Sequence, residues 1–447
     1  MSAASEVGAG GKTAGASVGR PWALVGGRLV LPERVLEGRA LLLKGARIDA
    51  VAPLADLGAD VERVDVAGAY VTPGLIDIHT HGALQRSFLD GDDEAFAVVL
   101  AEQARHGVSG VLATTSTAPL EHILRTLERT RAWRERSLAA AAPGTHDGAS
   151  DGAHDGASGG AQDPASRAAR ATARLLGAHV EGPYFAAAQA GAQDPGNLRT
   201  PDDGSATALL AYADVIRILS FAPELPGAHA LTRALVAHGI VAAAGHSQAT
   251  DADVAACEAW GLRHVIHLWS GQSTTVREGP WRRPGLLEAA LASDGLTAEV
   301  IADGKHLPPT LLRLAYRALG PDRLCLVSDA TSGAGLPDGA RFTMGAMAYE
   351  VEEGVGMMLD RSGFAGSTTF LDGMLQVMTE GVGVPLAEAV RMASLTPARV
   401  IGMDARLGSL TPGKDADVAL FEPDLRHRCT LIGGRVAAGT IAKGATP

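Results

Sequence analysis

Through the middle of the chain, short apolar runs that end in polar residues alternate with longer segments of helical spacing. This is the pattern of strand–helix units around a parallel sheet. Eight runs read as strands: LIDIH (75–79), SGVLAT (109–114), LLGAHV (175–180), VIRILS (215–220), IVAAAG (240–245), RHVIH (263–267), TAEVIA (297–302) and LCLVS (324–328). Eight parallel strands close naturally into a barrel, so the expected fold is α/β, a (β/α)₈ TIM barrel over residues 73–404. The flanks have a different texture. Between Trp22 and Val71, ALVGGRLV, RALLLKGARIDAV and AYVTPG read as short strands joined by Gly-rich turns, and DVALFEPDLRHRCTLIGGRVAAG has the same character near the other end. Residues 21–72 and 405–447 are therefore expected to build one small β-sandwich domain together.

Two stretches carry too few apolar side chains to repay the entropy of ordering them. One is the Gly/Ala/Ser-rich tail, residues 1–20. The other is a low-complexity insertion at 139–167 that holds the near-repeat HDGAS and DGAHDGAS. His146 and His154 fall inside it and read as solvated side chains, not as ligands.

Composition narrows the function. With 447 residues, 46% of them hydrophobic and 20% charged, the chain has an ordinary soluble composition and can bury a large core. A formal charge of −11 argues against a nucleic-acid surface. There is no basic stripe to suit a membrane and no apolar run long enough to span one. The first residues lack the apolar core of a signal peptide. Cys257, Cys325 and Cys429 are odd in number and far apart, as reduced thiols of a cytoplasmic protein would be. Any metal must then rest on histidines and carboxylates.

Those residues share one address. His79 and His81 end the first strand, Glu181 follows the third, His246 follows the fifth and His267 ends the sixth. Asp303 and His306 follow the seventh, and Asp329 the eighth. The C-terminal rim of a barrel is where catalytic groups gather. Taken singly each residue is unremarkable, since an Asp after a strand is usually a helix N-cap. His-x-His followed by Glu, His, His and Asp on successive strand ends has few structural explanations. Imidazoles with a carboxylate and an open position for water describe a catalytic site for one or two divalent ions, zinc first, with iron or manganese as alternatives. Such an ion lowers the pKa of water and polarises a carbonyl. Asp329 fits the carboxylate that moves the proton to a leaving nitrogen. The fourth run, RILSFAPE, has no lysine to be modified into a metal bridge, which leaves Glu181 as the expected bridge.

At these motifs the sequence resembles the amidohydrolase superfamily and, within it, the N-acetylglucosamine-6-phosphate deacetylase family. The likeness rests on PGLIDIHTHG (73–82), HVEGPYF (179–185), AGHSQAT (244–250), HVIHL (264–268), ADGKH (302–306), VSDAT (327–331), AGST (365–368) and PGKDADVALF (412–421). It implies that Glu181, His246 and His267 are the principal metal ligands and that His79 and His81 are a second pair. Asp329 would be the catalytic acid/base, with His306 contacting the substrate and steadying the developing oxyanion. Arg282 would be a phosphate-binding arginine supplied by the partner subunit of a homodimer. Asp303, Lys305, Gln193, Ser270 and Gly271 complete the expected substrate contacts.

Two departures from the family fall on that last group. The family carries Asn-Ala where this chain has Ser270 and Gly271, and His where it has Gln193. Ser loses an amide donor, and Gln cannot carry the charge available to His. Both positions are expected against the substrate and away from the metal. Lys305, Arg277, Arg282 and Arg283 are the cations available to an anionic substrate, while Trp269 and Trp281 read first as packing residues and second as walls for a sugar face. The expected reaction releases acetate from an N-acetylated amino-sugar phosphate, N-acetylglucosamine 6-phosphate above all. The alternatives are the same chemistry on another N-acyl substrate and, remotely, a non-catalytic scaffold. The scaffold is disfavoured because all five ligands and the acid/base are in place.

Overall fold

The computed structural model describes residues 20–141 and 172–441. Nearly all of the expected tail and most of the expected low-complexity insertion, His146 and His154 included, lie outside the described residues. The helix Leu120–Ala141 does run three residues into the segment expected to lack structure.

Eight parallel strands stand side by side in chain order: Leu75–Thr80, Val108–Thr114, Arg174–Glu181, Ile216–Phe221, Val241–Ala244, Leu262–Val265, Thr297–Ile301 and Leu324–Val327. Each overlaps one of the expected runs. The backbone N–H of Asp329 donates to the carbonyl of His79 at 2.8 Å and draws the end of the last strand to the first. Alternation along the strands turns His79, His179, His264 and Glu299, which meet one another, to the face opposite their neighbours Ile78, Ala178, Val265 and Val300. Ile76, Ile78, Val111, Ala178, Ile218, Ala243, Val265, Val300 and Leu326 are all buried. The outer helices turn one apolar stripe inward. Pro309–Leu319, for example, buries Leu312, Ala315 and Leu319 at spacings of three and four.

Both flanks of the chain meet in one sheet. Tyr70–Pro73 pairs with Arg28–Val30 on one side and with Val418–Phe421 on the other, and His427–Ile432 and Arg435–Gly439 follow. A second, four-stranded sheet contains Trp22–Val25 and Arg39–Lys44. Trp22, Leu24, Leu41, Ile48, Val71, Val418 and Leu431 form a common apolar core. The Arg174 guanidinium, at the start of the third barrel strand, reaches both oxygens of buried Asp417 at 2.9 and 3.1 Å and ties this unit to the barrel. Cys257, Cys325 and Cys429 are free and buried.

Two elements were not anticipated. A four-stranded antiparallel sheet follows the eighth barrel strand, at Arg341–Met344, Met347–Glu352, Val355–Met358 and Phe364–Ser367. A short hairpin, Val276–Glu278 with Trp281–Arg283, projects after the sixth. Trp281 is 75% exposed there, so it is not the packing residue its size suggested.

One ion-pair cluster outside the rim gives a pH test. His106, at the end of the helix Asp93–Arg105, lies 2.9 Å from Asp372 and 3.4 Å from Glu102, and its ring stacks on Phe370 at 4.0 Å. Burial lowers its pKa, but the two carboxylates more than reverse this and raise it from 6.5 to about 9. A group that binds its proton more tightly when folded stabilises the fold fully below its unfolded pKa and loses that contribution as pH rises through the folded one. The His106 contribution, on the order of 3 kcal/mol, is therefore expected to disappear between pH 6.5 and 9. Urea unfolding of the wild type and of His106→Gln across that range should give curves that converge at high pH. A constant gap between them would contradict the assignment.

Candidate active site

The strand ends bring five side chains to one point. Glu181 stands in the middle, buried at the end of the third strand. Its Oε1 lies 3.0 Å from Nε2 of His267, 3.2 Å from Nε2 of His246 and 3.5 Å from Nε2 of His79. Its Oε2 lies 3.4 Å from Nε2 of His81. Donors around one four-coordinate ion with bonds of about 2.0–2.2 Å sit roughly 3.3–3.6 Å apart, close to these separations. Hydrogen bonding alone does not complete the set, because Nε2 of His79 and Nδ1 of His267 are buried with no hydrogen-bond partner among the described residues. The donor chemistry and spacing fit a divalent ion. His79–His81–Glu181 and Glu181–His246–His267 are each close enough to hold one.

The far nitrogens fix how the rings point. His246 Nδ1 faces the carbonyl of Gln189 at 2.8 Å, which makes it the N–H and leaves the Nε2 lone pair toward Glu181. His79 Nδ1 faces Oε2 of Glu299 at 2.8 Å with the same effect. Glu299 escaped the sequence reading. It lies fully buried in the seventh strand and also meets Nε2 of His264 at 3.0 Å and the backbone N–H of His267 at 3.3 Å. The available signal was an acid in the middle of the apolar run TAEVIA, where an unpaired charge would be costly. His79, His179 and Glu299 form a third cluster of ligand type. There, however, His179 is already satisfied by the Ile78 carbonyl and the Ser220 hydroxyl. Burial holds its pKa down to about 3, so it stays neutral.

Charge follows from this packing. Burial pushes the Glu181 carboxyl up, but His79, His246 and His267 together hold it well below the usual carboxylate range. Asp329 behaves alike: burial raises it and the neighbouring His81 and His79 more than reverse that. Its Oδ1 lies 3.1 Å from Nε2 of His81 and 3.7 Å from Nε2 of His79. It is thus an ionised carboxylate beside the ligand set. Three of these residues occupy the left-handed region, His246 at φ +43°, His267 at +20° and Asp329 at +44°. Such backbone costs free energy in a non-glycine residue and collects at functional sites. Each marks the sharp turn by which the chain leaves its strand and aims the side chain over the barrel mouth.

A cleft of about 280 Å³ opens over this point. His81, Glu181, His246, His267 and Asp329 form its floor, and His306, Gln193, Ser270 and Gly271 reach its walls. The unanticipated four-stranded sheet adds Met344, Met347, Tyr349 and Phe364, and Trp269 also lines it. His306 is oriented by Asp303, whose Oδ2 lies 2.7 Å from Nδ1. Asp303 does not itself reach the cleft; its other oxygen accepts the backbone N–H groups of Lys305 and His306. Gly271, at φ +58°, is required by close approach, since a Cβ there would come within 2.6 Å of His246 Nδ1. Lys305, like Asp303, was expected against the substrate and lies elsewhere, and Arg282 was expected from a partner subunit. Lys305 is exposed and absent from the lining, and Arg282 sits on the projecting hairpin against the Pro280 carbonyl. Among the described residues, the lining contains no lysine or arginine.

Comparison with known proteins agrees with the geometry. Residues 70–444 match the amidohydrolase family. N-acetylgalactosamine-6-phosphate deacetylase of Escherichia coli O157:H7 is 30% identical over 412 residues, 92% of this chain and 98% of that one. N-acetylglucosamine-6-phosphate deacetylase of Vibrio furnissii is 32% identical, covering 81% of this chain and 82% of its own. Among solved structures, N-acetylglucosamine-6-phosphate deacetylase from Pasteurella multocida superposes with a TM-score of 0.80 at 26% identity, over 93% of this chain and 99% of that one. A mutant of the Mycobacterium smegmatis enzyme in complex with N-acetyl-D-glucosamine-6-phosphate gives 0.79 at 26%, over 94% and 100%.

Proposed function

The chain belongs to the amidohydrolase family and hydrolyses an amide bond; we propose that its substrate is an N-acetylhexosamine 6-phosphate, N-acetylglucosamine 6-phosphate first, which it cleaves to acetate and the free amine. The observation that carries this reading is the Asp329 carboxyl group, 3.1 Å from His81 on the floor of the cleft beside Glu181 and the histidines. Glu181, His246 and His267 would hold the principal ion and His79 and His81 a second, zinc being the metal the donors suit best, ahead of iron or manganese. A bound divalent ion supplies acidity to water and polarises the acetyl carbonyl. Asp329 takes the proton of the attacking water. As oxygen bonds to the carbonyl carbon and the C–N bond breaks, it passes that proton to the leaving nitrogen. His306, held by Asp303, steadies the charge that develops on the carbonyl oxygen.

The phosphate needs a cation that the lining does not contain. A homodimer in which the hairpin of one subunit reaches the cleft of the other would provide it through Arg282. Losing a charge-assisted bond of about 1.5–3 kcal/mol should raise KM roughly 10–100-fold. Arg282→Ala is accordingly expected to raise KM for N-acetylglucosamine 6-phosphate and to leave hydrolysis of unphosphorylated N-acetylglucosamine unchanged. An unaltered KM would remove the hairpin from substrate binding. Acetate release from the two sugars by the wild type tests the substrate class, and equal kcat/KM would sink the phosphate reading.

A second reading, the galacto-configured phosphate, is favoured by the Escherichia coli relative, an N-acetylgalactosamine-6-phosphate deacetylase matched over 98% of its length. The ratio of kcat/KM for the two epimers decides between them. A cytoplasmic location is supported by three buried, unpaired thiols. Among the described residues no helix is long and apolar enough to cross a membrane.

A further inference from the structure

We propose that Gln193 is a positioning residue that holds Glu181 for the metal, and that it does not serve as a contact for the sugar. Its position in the chain and its place on the cleft wall both suggested a substrate contact. Its hydrogen bonds say otherwise. The side-chain oxygen of Gln193 accepts the backbone N–H of Thr117 at 2.6 Å. A backbone N–H can only donate, so this bond fixes which end of the amide is oxygen. The nitrogen must then face the other way, where it donates to Oε2 of Glu181 at 2.6 Å. Both ends of the buried amide are committed to protein groups.

The loop that carries it is clamped as well. The Gln193 backbone N–H donates to the Ala190 carbonyl at 3.0 Å, and the hydroxyl of buried Tyr349 donates to the Ala192 carbonyl at 2.7 Å. Glu181 depends on this hold. Its Oε1 faces His246, His267 and His79, whereas among the described residues Oε2 has only Gln193 and, at 3.4 Å, Nε2 of His81. The terminal torsion of a glutamate is soft. Without the amide the carboxylate is free to rotate and carry Oε1 off the two histidines. Outer partners of ligating groups typically contribute 10–100-fold to metal affinity.

Gln193→Leu keeps the size and removes both hydrogen bonds, and Gln193→Ala serves if that variant does not fold. Zinc affinity is measured by competition with a chromogenic chelator, and KM for N-acetylglucosamine 6-phosphate is measured at saturating zinc. Zinc binding roughly 10–100-fold weaker, with KM changed by less than about twofold, is the expected result. Unchanged zinc affinity, or a tenfold rise in KM with zinc saturating, would overturn the proposal. The inference rests on the metal-site reading of Glu181, but its zinc measurement involves no turnover. A protein that binds zinc and deacetylates no hexosamine phosphate would defeat the functional reading and leave this test intact.

Discussion

Asp329→Asn is expected to lower kcat by roughly 10²–10⁴, the range for losing a positioned proton-transfer group, with zinc content unchanged. The substitution keeps the shape of the side chain and its place at the end of the eighth strand. It abolishes the basicity that Oδ1 owes to ionisation, which His81 and His79 favour against the burial that opposes it. The amide cannot accept the water proton, so attack and departure of the nitrogen both lose their shuttle. KM should move little, because the proposed role of Asp329 is on the reacting atoms and not on the sugar. Metal analysis of the purified variant separates this outcome from a trivial one. Lost activity with lost zinc would mean that Asp329 is a ligand first, and a fully active variant would remove it from the chemistry.

Glu181→Gln should have an effect as large by a different route. Among the described residues, Glu181 alone comes within 3.5 Å of all four histidines of the site, His79, His81, His246 and His267. An amide at that position is neutral and presents at most one oxygen, so the ion loses its anionic partner. The cost in affinity should exceed the roughly 100-fold at the upper end for outer-sphere partners. Activity should fall with occupancy and return in part at high zinc, whereas Asp329→Asn should not respond to zinc at all. A ligand that binds only the folded state also raises its stability. Wild-type protein is therefore expected to unfold at lower temperature after chelation, and the Glu181 variant to show little further change. Equal zinc content in the variant and the wild type would exclude Glu181 as a ligand.

Most of the rim was legible because the barrel makes residue order equivalent to position. Each apolar run points its C-terminal end at the same face, so His79, Glu181, His246, His267 and Asp329 could be brought together without knowing how any helix packs. Partners set by packing were not legible. Glu299 reads as one polar residue in an apolar strand until His79 and His264 are seen on either side of it. Gln193 has the spacing of a substrate contact, and only the Thr117 N–H shows that its amide turns inward. The sheet from Arg341 to Ser367 follows the last barrel strand, beyond the strand–helix repeat that organised the reading, so its contribution of Met344, Met347, Tyr349 and Phe364 to the cleft went unseen. Lys305 lies outside the cleft of its own chain for a related reason: adjacency along the sequence does not say which way an exposed side chain points.

The Glu181–histidine set is expected to hold a divalent ion without which the amide is not cleaved. The most direct test is acetate release from N-acetylglucosamine 6-phosphate by protein stripped with a chelator and then titrated with zinc. Activity should vanish on stripping and return in proportion to zinc added, reaching a plateau at one or two ions per chain. Full acetate release by protein that elemental analysis finds free of metal would contradict it.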